Sequence, residues 1–132
     1  MTQLYQIYRD CGCRVTTDSR AIEGGELFFA LRGENFDGNA YALQALEKGA
    51  ARAVVNADAQ IADDPRLIRV DDPFRTLRDL AIWHREHVLG DAHLPVIGLT
   101  GTNGKTTTKE LINAVLSVKY RVTATKGNLN ND

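Results

Sequence analysis

The chain has 132 residues, 43% of them apolar, which suits a domain of ordinary size with its own core. Its 16 basic and 17 acidic residues nearly balance, so the net charge favours neither nucleic acid nor an anionic membrane surface as a partner. The sequence contains no apolar run long enough to cross a bilayer, and no signal-peptide pattern opens it. We therefore expect a cytoplasmic protein that binds neither nucleic acid nor membrane.

The first part of the sequence alternates helical and strand patterns, which is typical of a layered α/β fold. The predicted elements are, in chain order, a helix over residues 3–9 with Thr2 as N-cap, a polar turn over 16–20, a buried strand over 27–31, a loop over 32–39, a helix over 41–48 that ends at Gly49, and strands over 53–55 and 67–70. In the second helix, Ala42, Ala45 and Leu46 are expected to face the core.

A further helix is predicted to begin at Asp72-Pro73, because Asp is a favoured N-cap and Pro a favoured first helical residue. Its apolar stripe is expected to comprise Phe74, Leu77, Ala81, His84 and Val88, with Leu80 beside it. On that stripe, His84 is expected to pack and hydrogen-bond rather than to bind a ligand. The helix and the polar break after it indicate a domain boundary, so we expect one domain over residues 1–80 and another over 81–132.

The two cysteines, Cys11 and Cys13, are one residue apart, which suits neither a disulfide framework nor a C-x-x-C redox pair. A zinc site that adds His84 and His87 is the sharper alternative, but these pairs do not match a zinc-finger pattern. Ordinary, partly buried thiols are therefore the favoured interpretation.

Residues 96–108 carry the clearest chemical signal: an apolar strand, a glycine-rich turn and the start of a helix. Gly101 and Gly104 allow a tight turn whose N–H groups, with the positive end of the helix, can hold an anion. Lys105 can reach outer phosphate oxygens, and the Thr106 hydroxyl can complete the coordination of Mg²⁺. The glycine spacing, G-x-x-G-x-x-G-K-T, departs from the general G-x-x-x-x-G-K-[ST] pattern but keeps Gly-Lys-Thr. These residues predict a site for a nucleoside triphosphate.

A helix over 105–118 and a strand over 120–124 are predicted to follow the phosphate loop. With the strand at 96–99 they make one βαβ unit, whereas a nucleotide-binding domain needs a sheet of several such units. The last residues, Asn130–Asp132, are typical of a polar loop. We therefore expect the chain to be part of a longer protein, with its second sheet incomplete here.

Four segments carry a family resemblance, and a fifth, the last one named below, narrows it within the family. They are Thr17–Arg20, Leu27–Gly33, Phe36–Asn39, Gly98–Glu110 and Thr125–Asn131. Together they resemble the Mur ligases of bacterial peptidoglycan synthesis, and the resemblance covers essentially the whole chain. The phosphate loop alone is shared with folylpolyglutamate synthases and cyanophycin synthetases, whereas the Asp-Ser-Arg and Phe-Asp-Gly elements separate the Mur ligases from both.

The resemblance implies a small N-terminal α/β domain that binds a UDP-sugar, followed by the first βαβ unit of a P-loop ATPase-type central domain. It implies an ATP-dependent ligase, with ATP and Mg²⁺ as cofactors, that joins D-alanyl-D-alanine to UDP-N-acetylmuramoyl-tripeptide through an acyl phosphate. A related ligase that adds the third residue of the stem peptide and a non-catalytic nucleotide-binding module are the alternatives. This chain by itself is expected to be inactive, and either to self-associate through residues 94–124 or to pack its last helix on the helix from Phe74 to Val88.

Carried over residue by residue, the resemblance implies two sets of site residues. The substrate set is Thr17, Ser19, Arg20, Glu34, Asn35, Phe36, Asn128 and Asn131. The nucleotide set is Gly101, Thr102, Asn103, Gly104, Lys105, Thr106 and Thr107. In the nucleotide set Lys105 and Thr106 are catalytic and Thr106 is the metal ligand. Local turn formation is the alternative role for the polar substrate residues, Arg20 could equally brace its turn, and Asn39 is assigned no ligand role.

Overall fold

The computed structural model describes residues 1–89 and 95–125 of a chain that divides into two compact units, Met1–His93 and Leu94–Asp132. The first unit contains helices α1 (Thr2–Asp10), α2 (Ala42–Glu47) and α3 (Pro73–Leu89), and strands β1 (Val15–Thr16), β2 (Leu27–Phe29), β3 (Arg32–Gly33), β4 (Phe36–Asp37), β5 (Arg52–Asn56) and β6 (Leu67–Val70). A 3-10 turn, Gly38–Tyr41, precedes α2, and the second unit contains α4 (Lys105–Ser117). Helix α3 runs past residue 80 within the first unit. Which ligand each unit binds stays a prediction.

Four strands of the first unit form one parallel sheet in the order β1-β2-β5-β6. Phe29 pairs with Val54, and Val54 pairs in turn with Ile68. The apolar runs of β2 and β5 form the two central strands and are buried, as expected for a parallel sheet covered on both faces. Because all four strands run the same way, their carboxyl ends meet at one edge of the sheet.

The core of the first unit lies on both faces of this sheet. One cluster packs α2 on the sheet through the three residues predicted to face inward. The other cluster packs α1 and α3 on the opposite face through Tyr8 and Leu80. Alternate residues of β2 serve the two faces, since Phe28 belongs to the first cluster and Leu27 and Phe29 to the second.

Two of the three predicted helix ends, and the strand predicted over residues 67–70, agree with the structure. Asp72 caps α3, because its Oδ1 accepts a hydrogen bond from the Arg75 N–H at 3.0 Å. Gly49, with φ 110°, follows the end of α2 as predicted. Residues predicted as strand 67–70 form β6. The Thr2 cap was wrong: α1 begins at Thr2, so its hydroxyl is one residue too late to cap the first N–H groups.

The predicted loop over residues 32–39 contains an antiparallel hairpin, β3–β4, so that prediction was incomplete. Each strand has two residues, and Glu34 and Asn35 close the tip. Composition missed the hairpin because Gly and Asx residues favour turns of every kind, whereas strand pairing depends on what the chain meets after the turn.

The buried face of α3 is rotated relative to the predicted stripe. Leu80 is 2% exposed and lies at its centre, whereas Phe74 is 64% exposed and Ala81 is exposed. Helical periodicity allows a broad apolar stripe, and docking on the sheet and α1 selects the face that includes Leu77 and Leu80. The side chain of Val88 lies outside the described part of the chain.

The packing role predicted for His84 is confirmed. Its Nδ1 lies 3.4 Å from the Tyr5 hydroxyl, and its ring meets the Tyr8 ring edge-on at 5.2 Å between centroids. Both tyrosines belong to α1, so His84 helps to join α3 to α1.

The second unit differs from the predicted βαβ arrangement. Helix α4 confirms the predicted helix to within one residue, but the predicted strands at 96–99 and 120–124 do not form. Val96 is 69% exposed and Ile97 is 58% exposed. A strand needs a neighbour to pair its N–H and C=O groups, and residues 95–125 provide none. No helix in residues 1–89 or 95–125 is long and apolar enough to cross a membrane.

Candidate functional site

The loops after β1, β2 and β5 begin at the carboxyl edge of the sheet, which is where parallel α/β sheets bind ligands. Strands β1 and β2 are neighbours, so the turn at residues 17–20 starts beside the segment that enters the β3–β4 hairpin. The structure thus brings the first-unit members of the predicted substrate set, Thr17–Arg20 and Glu34–Phe36, to the same edge. Within residues 1–89, however, no hydrogen bond joins residues 17–20 to residues 33–37.

The turn after β1 is held by its own hydrogen bonds. The Thr16 hydroxyl donates to the Asp18 carbonyl and accepts from the Asp18 N–H, each at 3.2 Å. The Asp18 carboxylate accepts from the backbone N–H, Nε and Nη2 of Arg20, each at 2.9 Å. Hydrogen bonds from the Arg20 side chain, followed by that from its backbone, lower the pKa of Asp18 to about 2. The Ser19 carbonyl accepts from Lys48 Nζ at 3.1 Å.

A second Asp-x-Arg turn clarifies the role of Arg20. The Asp64 carboxylate accepts the same three bonds from Arg66, at 2.7 to 2.9 Å, directly before β6 and so at the opposite edge of the sheet. The pKa of Asp64 is also lowered to about 2. Since the same contacts form away from the candidate site, they arise from the turn itself. The structure shows the bracing role for Arg20, and its contact with substrate stays a prediction.

The tip of the hairpin presents a second group of the substrate set to solvent. Glu34, Asn35 and Phe36 are all exposed. The Phe36 ring stacks on Tyr41, with centroids 5.7 Å apart and 12° between the ring planes. These rings are 53% and 43% exposed, and an exposed stacked pair offers a face to a planar ring such as a nucleobase. Sequence reasoning missed Tyr41 because it was counted as a helix residue.

A buried polar network fastens the hairpin to the sheet. Asn39 Nδ2 donates to Asn56 Oδ1 and the Asn56 N–H donates to Asn39 Oδ1, both at 2.9 Å. Asn39 is 2% exposed and Asn56 9% exposed. On the outer side, Arg32 Nη1 donates to both carboxylate oxygens of Asp58, at 2.9 and 3.1 Å. The sequence carried no signal for this network beyond the polarity of its residues.

The loop before α4 turns at the two glycines, as predicted, while its phosphate-binding role stays a prediction. Gly101 has φ 144° and Gly104 has φ 79°, and Gly104 is the N-cap of α4. A glycine cap supplies no side chain, so the N–H groups of residues 105–107 have no acceptor within the described residues. N–H groups without an acceptor at the positive end of a helix are the donors that an anion would need, so anion binding here stays a prediction.

The remaining nucleotide residues surround this site. Lys105 Nζ donates to the Gly101 carbonyl, so its side chain folds back over the loop. Apart from Lys105, which is half-buried, every member of the set is exposed, including Thr102, Asn103, Thr106 and Thr107. Further along α4, Lys109 Nζ donates to the Thr125 carbonyl at 2.5 Å, which brings the chain after α4 back beside the helix. Asn128 and Asn131 of the predicted substrate set lie outside the described residues.

The thiols and histidines do not gather into a metal site in the part of the chain that the structure describes. Cys11 is buried and Cys13 is exposed, and both are free. No three His, Cys, Asp or Glu side chains among residues 1–89 and 95–125 are placed to hold a metal ion. The Thr106 hydroxyl, exposed at the start of α4, is a single oxygen that suits one position in a Mg²⁺ shell completed by phosphate and water.

The parallel sheet and the phosphate loop agree with two family descriptions. "Mur ligase family, catalytic domain" matches residues 14–94, and "Mur ligase middle domain" matches residues 99–132. The chain belongs to the Mur ligase family, which confirms the predicted family and the predicted α/β class.

Individual relatives make the likeness more specific. A UDP-N-acetylmuramoyl-tripeptide–D-alanyl-D-alanine ligase from Bacillus subtilis (strain 168) is 44% identical over 120 residues, which cover 89% of this chain and 25% of that protein. A UDP-N-acetylmuramoyl-L-alanyl-D-glutamate–2,6-diaminopimelate ligase from Parasynechococcus marenigrum (strain WH8102) is 43% identical over 103 residues, covering 74% of this chain and 20% of that protein. The crystal structure of the MurF ligase from Thermotoga maritima in complex with ADP matches with a TM-score of 0.69 and 33% identity, over 89% of this chain and 26% of that one. The chain therefore spans about a quarter of the length of the D-alanyl-D-alanine ligase that it matches.

Proposed function

We propose that this chain is part of an ATP-dependent ligase that joins D-alanyl-D-alanine to UDP-N-acetylmuramoyl-tripeptide in peptidoglycan synthesis. The observation that carries this proposal is the 44% identity, over 89% of the chain, to a ligase of that name. Because the chain spans a quarter of that relative, the activity belongs to the longer protein, and the chain alone is expected to be inactive. We place the reaction in the cytoplasm because it consumes ATP.

The second unit is proposed to bind the phosphates of ATP. The free N–H groups of residues 105–107 and the positive end of α4 favour an anion at this place. A substrate carboxylate oxygen attacks the γ-phosphorus and ADP leaves; the dipeptide amine then attacks the acyl carbon, loses a proton and displaces phosphate. Lys105 is expected to exchange its bond with the Gly101 carbonyl for phosphate oxygens and to neutralise their charge. Mg²⁺, held in part by Thr106, supplies further charge neutralisation when bound.

The first unit is proposed to bind the uridine end of the substrate. Supporting this placement are the two polar loops at the carboxyl edge of the sheet and the exposed Phe36–Tyr41 stack beside them. Adding a UDP-sugar to the labelled chain is expected to shift the amide resonances of residues 17–20 and 33–37. Shifts confined to the phosphate loop would contradict this placement.

A ligase that adds the third residue of the stem peptide is the second candidate. The 43% identity to a 2,6-diaminopimelate ligase favours it, but that match covers less of this chain, 74% against 89%. A non-catalytic nucleotide-binding module is the third candidate.

One assay on the longer protein separates these candidates. Phosphate release is measured with ATP, Mg²⁺ and one of two substrate pairs. The first pair is UDP-N-acetylmuramoyl-tripeptide with D-alanyl-D-alanine. The second pair is the UDP-N-acetylmuramoyl precursor that carries only two stem-peptide residues, with a diamino acid. Release with the first pair alone supports the proposal, and release with the second pair alone supports the third-residue ligase. Phosphate release that never depends on a UDP-muramoyl peptide would identify a module without ligase activity.

A further inference from the structure

The hairpin β3–β4 presents its tip to solvent while its base is buried against the sheet. We propose that the buried pair Asn39–Asn56 positions this hairpin, and with it the stacked rings of Phe36 and Tyr41, for the uridine end of the substrate. Since this inference rests on the proposed function, the experiment below separates the failure of one from the failure of the other.

The base of the hairpin is closed by a backbone contact between Gly38, which follows β4, and Leu31, which links β2 to β3. The Gly38 N–H donates to the Leu31 carbonyl at 2.8 Å. A Cβ at Gly38 would lie 2.6 Å from that carbonyl oxygen and 2.8 Å from the Leu31 nitrogen, so no side chain fits there. The residue that follows, Asn39, is thereby placed under the hairpin and against the end of β5.

The two amides then connect three segments of backbone. Asn39 Nδ2 donates to Asp37 Oδ1 at 2.6 Å as well as to Asn56 Oδ1 at 2.9 Å, and so joins β4 to β5. Asn56 Nδ2 donates to the Asp71 carbonyl at 3.3 Å, which extends the connection to the loop after β6. Because Asn39 also accepts from the Asn56 N–H, its loss would leave a buried backbone donor unpaired.

The exposed contacts of the hairpin are weaker candidates for this role. The side chains of Arg32 and Asp58 are 39% and 74% exposed, and solvated ion pairs contribute little to orientation. Residues 34–36 make no side-chain hydrogen bond within the described part of the chain. The direction in which the tip faces is therefore set at its base, where Asn39 and Asn56 are buried.

The test compares Asn39→Asp with Gln44→Glu, which makes the same amide-to-acid change at an exposed position of α2. Asn39→Asp keeps the acceptor for the Asn56 N–H but loses the bonds that Asn39 donates to Asp37 and Asn56. It therefore weakens the network without removing every bond. Asn39→Leu, which removes all of them, is the stronger variant. If Asn39→Leu does not fold, Asn39→Asp decides the outcome.

Two measurements are made on each variant. Hydrogen exchange of the chain is expected to be about tenfold or more faster for the amides of residues 32–37 in Asn39→Asp, with β5 unchanged. In the longer ligase, the KM for the UDP-substrate is expected to rise about tenfold, because the preorganisation of its site is lost, while the KM for ATP and kcat change less than about twofold. Gln44→Glu should change neither.

Phe36→Ala provides the independent test of where the substrate binds. If Phe36→Ala raises the KM for the UDP-substrate but Asn39→Asp behaves like Gln44→Glu, positioning by Asn39 is wrong and the proposed function stands. If neither variant changes that KM, the placement of the substrate and the inference both fail. If Asn39→Asp raises the KM for ATP as well as the KM for the UDP-substrate, and hydrogen exchange becomes faster throughout the chain, the role of Asn39 is merely structural. That result would also overturn the inference.

Discussion

Polar side chains in this chain combine local structural roles with roles proposed for ligand binding. Arg20 illustrates the first kind, because every hydrogen bond it makes within the described residues goes to Asp18, and Arg66 repeats the geometry at a second turn. Lys105 illustrates the second kind, since its only bond there is to a carbonyl of the phosphate loop, which a nucleotide can displace. The bonds of Arg20 are thus accounted for by its own turn, whereas the bond of Lys105 can be exchanged for a bond to a ligand.

Replacing Lys105 by Ala is expected to weaken ATP binding and to lower kcat of the longer ligase on the order of 10²-fold, because a charge that stabilises the transferring phosphoryl group is lost. Steady-state kinetics with varied ATP measure both effects. Lys119→Ala is the matched control, as Lys119 is an exposed lysine of the same unit that lies over the Tyr120 ring. Unchanged turnover in Lys105→Ala would remove this residue from the site.

The Asp18 carboxyl is expected to titrate near pH 2 in the folded chain, because Arg20 stabilises its ionised form. Its folded pKa lies below the ordinary value of 3.8, so its contribution to stability is present above that pH and is lost as the pH falls toward 2. Arg20→Gln should raise the Asp18 midpoint toward the ordinary value while Asp64 stays near 2 as an internal control. Carboxyl-detected NMR measures both midpoints, and an Asp18 midpoint insensitive to Arg20→Gln would exclude the brace.

At the scale of elements, the hairpin β3–β4 and helix α3 show how close packing shapes the first unit. The hairpin β3–β4 carries the exposed Phe36, and at its base Gly38 lies against the backbone of Leu31 with no room for a side chain. Helix α3 packs through Leu80 on the face of the sheet that α1 also covers, opposite α2. Both elements depend on close packing, so both can be tested by small changes in side-chain volume.

Gly38→Ala is expected to destabilise the first unit by about 1–3 kcal/mol, since the added methyl meets the backbone of Leu31. Gly33→Ala is the control within the same hairpin, because nothing lies within 4 Å of a Cβ there. Its effect should be within about 0.5 kcal/mol. Urea unfolding followed by the fluorescence of Trp83, the single tryptophan, measures both. Equal losses in the two variants would contradict the close approach at Gly38.

Leu80→Ala is expected to cost about 2–5 kcal/mol of unfolding free energy, because it leaves a cavity between α3 and the sheet. Phe74→Ala removes a larger side chain of the predicted stripe but one that is 64% exposed, so it should cost less than about 1 kcal/mol. Chemical denaturation of both variants decides which face is buried. If Phe74→Ala lowered the free energy of unfolding more than Leu80→Ala, the buried face would be the stripe predicted from helical periodicity.

At the scale of the whole molecule, the two units differ in how completely they bury their apolar surface. The first unit encloses clusters on both faces of its sheet. Helix α4 of the second unit has no buried residue, and Leu111, Val115 and Val118 are 64%, 71% and 88% exposed. Since burial is worth about 25 cal/mol per Å² of apolar surface, this arrangement favours association with another surface.

The isolated chain is expected to self-associate through the second unit, while the first unit folds by itself. Light scattering should show a mass that rises with concentration, and Val115→Glu should reduce it more than Ile82→Glu, a change at a 49% exposed position of α3. The chain should also form no product from ATP, the UDP-muramoyl peptide and the dipeptide. A strictly monomeric chain with hydrogen-exchange protection confined to the first unit would contradict association, and any turnover would contradict the expected inactivity.

The sequence by itself determined the features that depend on local chemistry. The glycines, Lys105 and Thr106 predict an anion-binding turn whatever surrounds them, because backbone freedom and helix N–H groups act within a few residues. The Asp72 cap and the apolar runs of β2 and β5 are local in the same sense. Together with the quoted motifs, they were enough to predict the family and the α/β class.

Only the tertiary structure decided the features that depend on a distant partner. Periodicity allowed a stripe through Phe74, but docking on the sheet selected Leu80. The run at 96–99 has the composition of a strand, yet no strand forms there because residues 95–125 offer no neighbour to pair with it. Asn39 can hydrogen-bond to Asn56 only when β2 and β5 pair. A local pattern specifies which groups need partners, and the fold decides whether those partners are present.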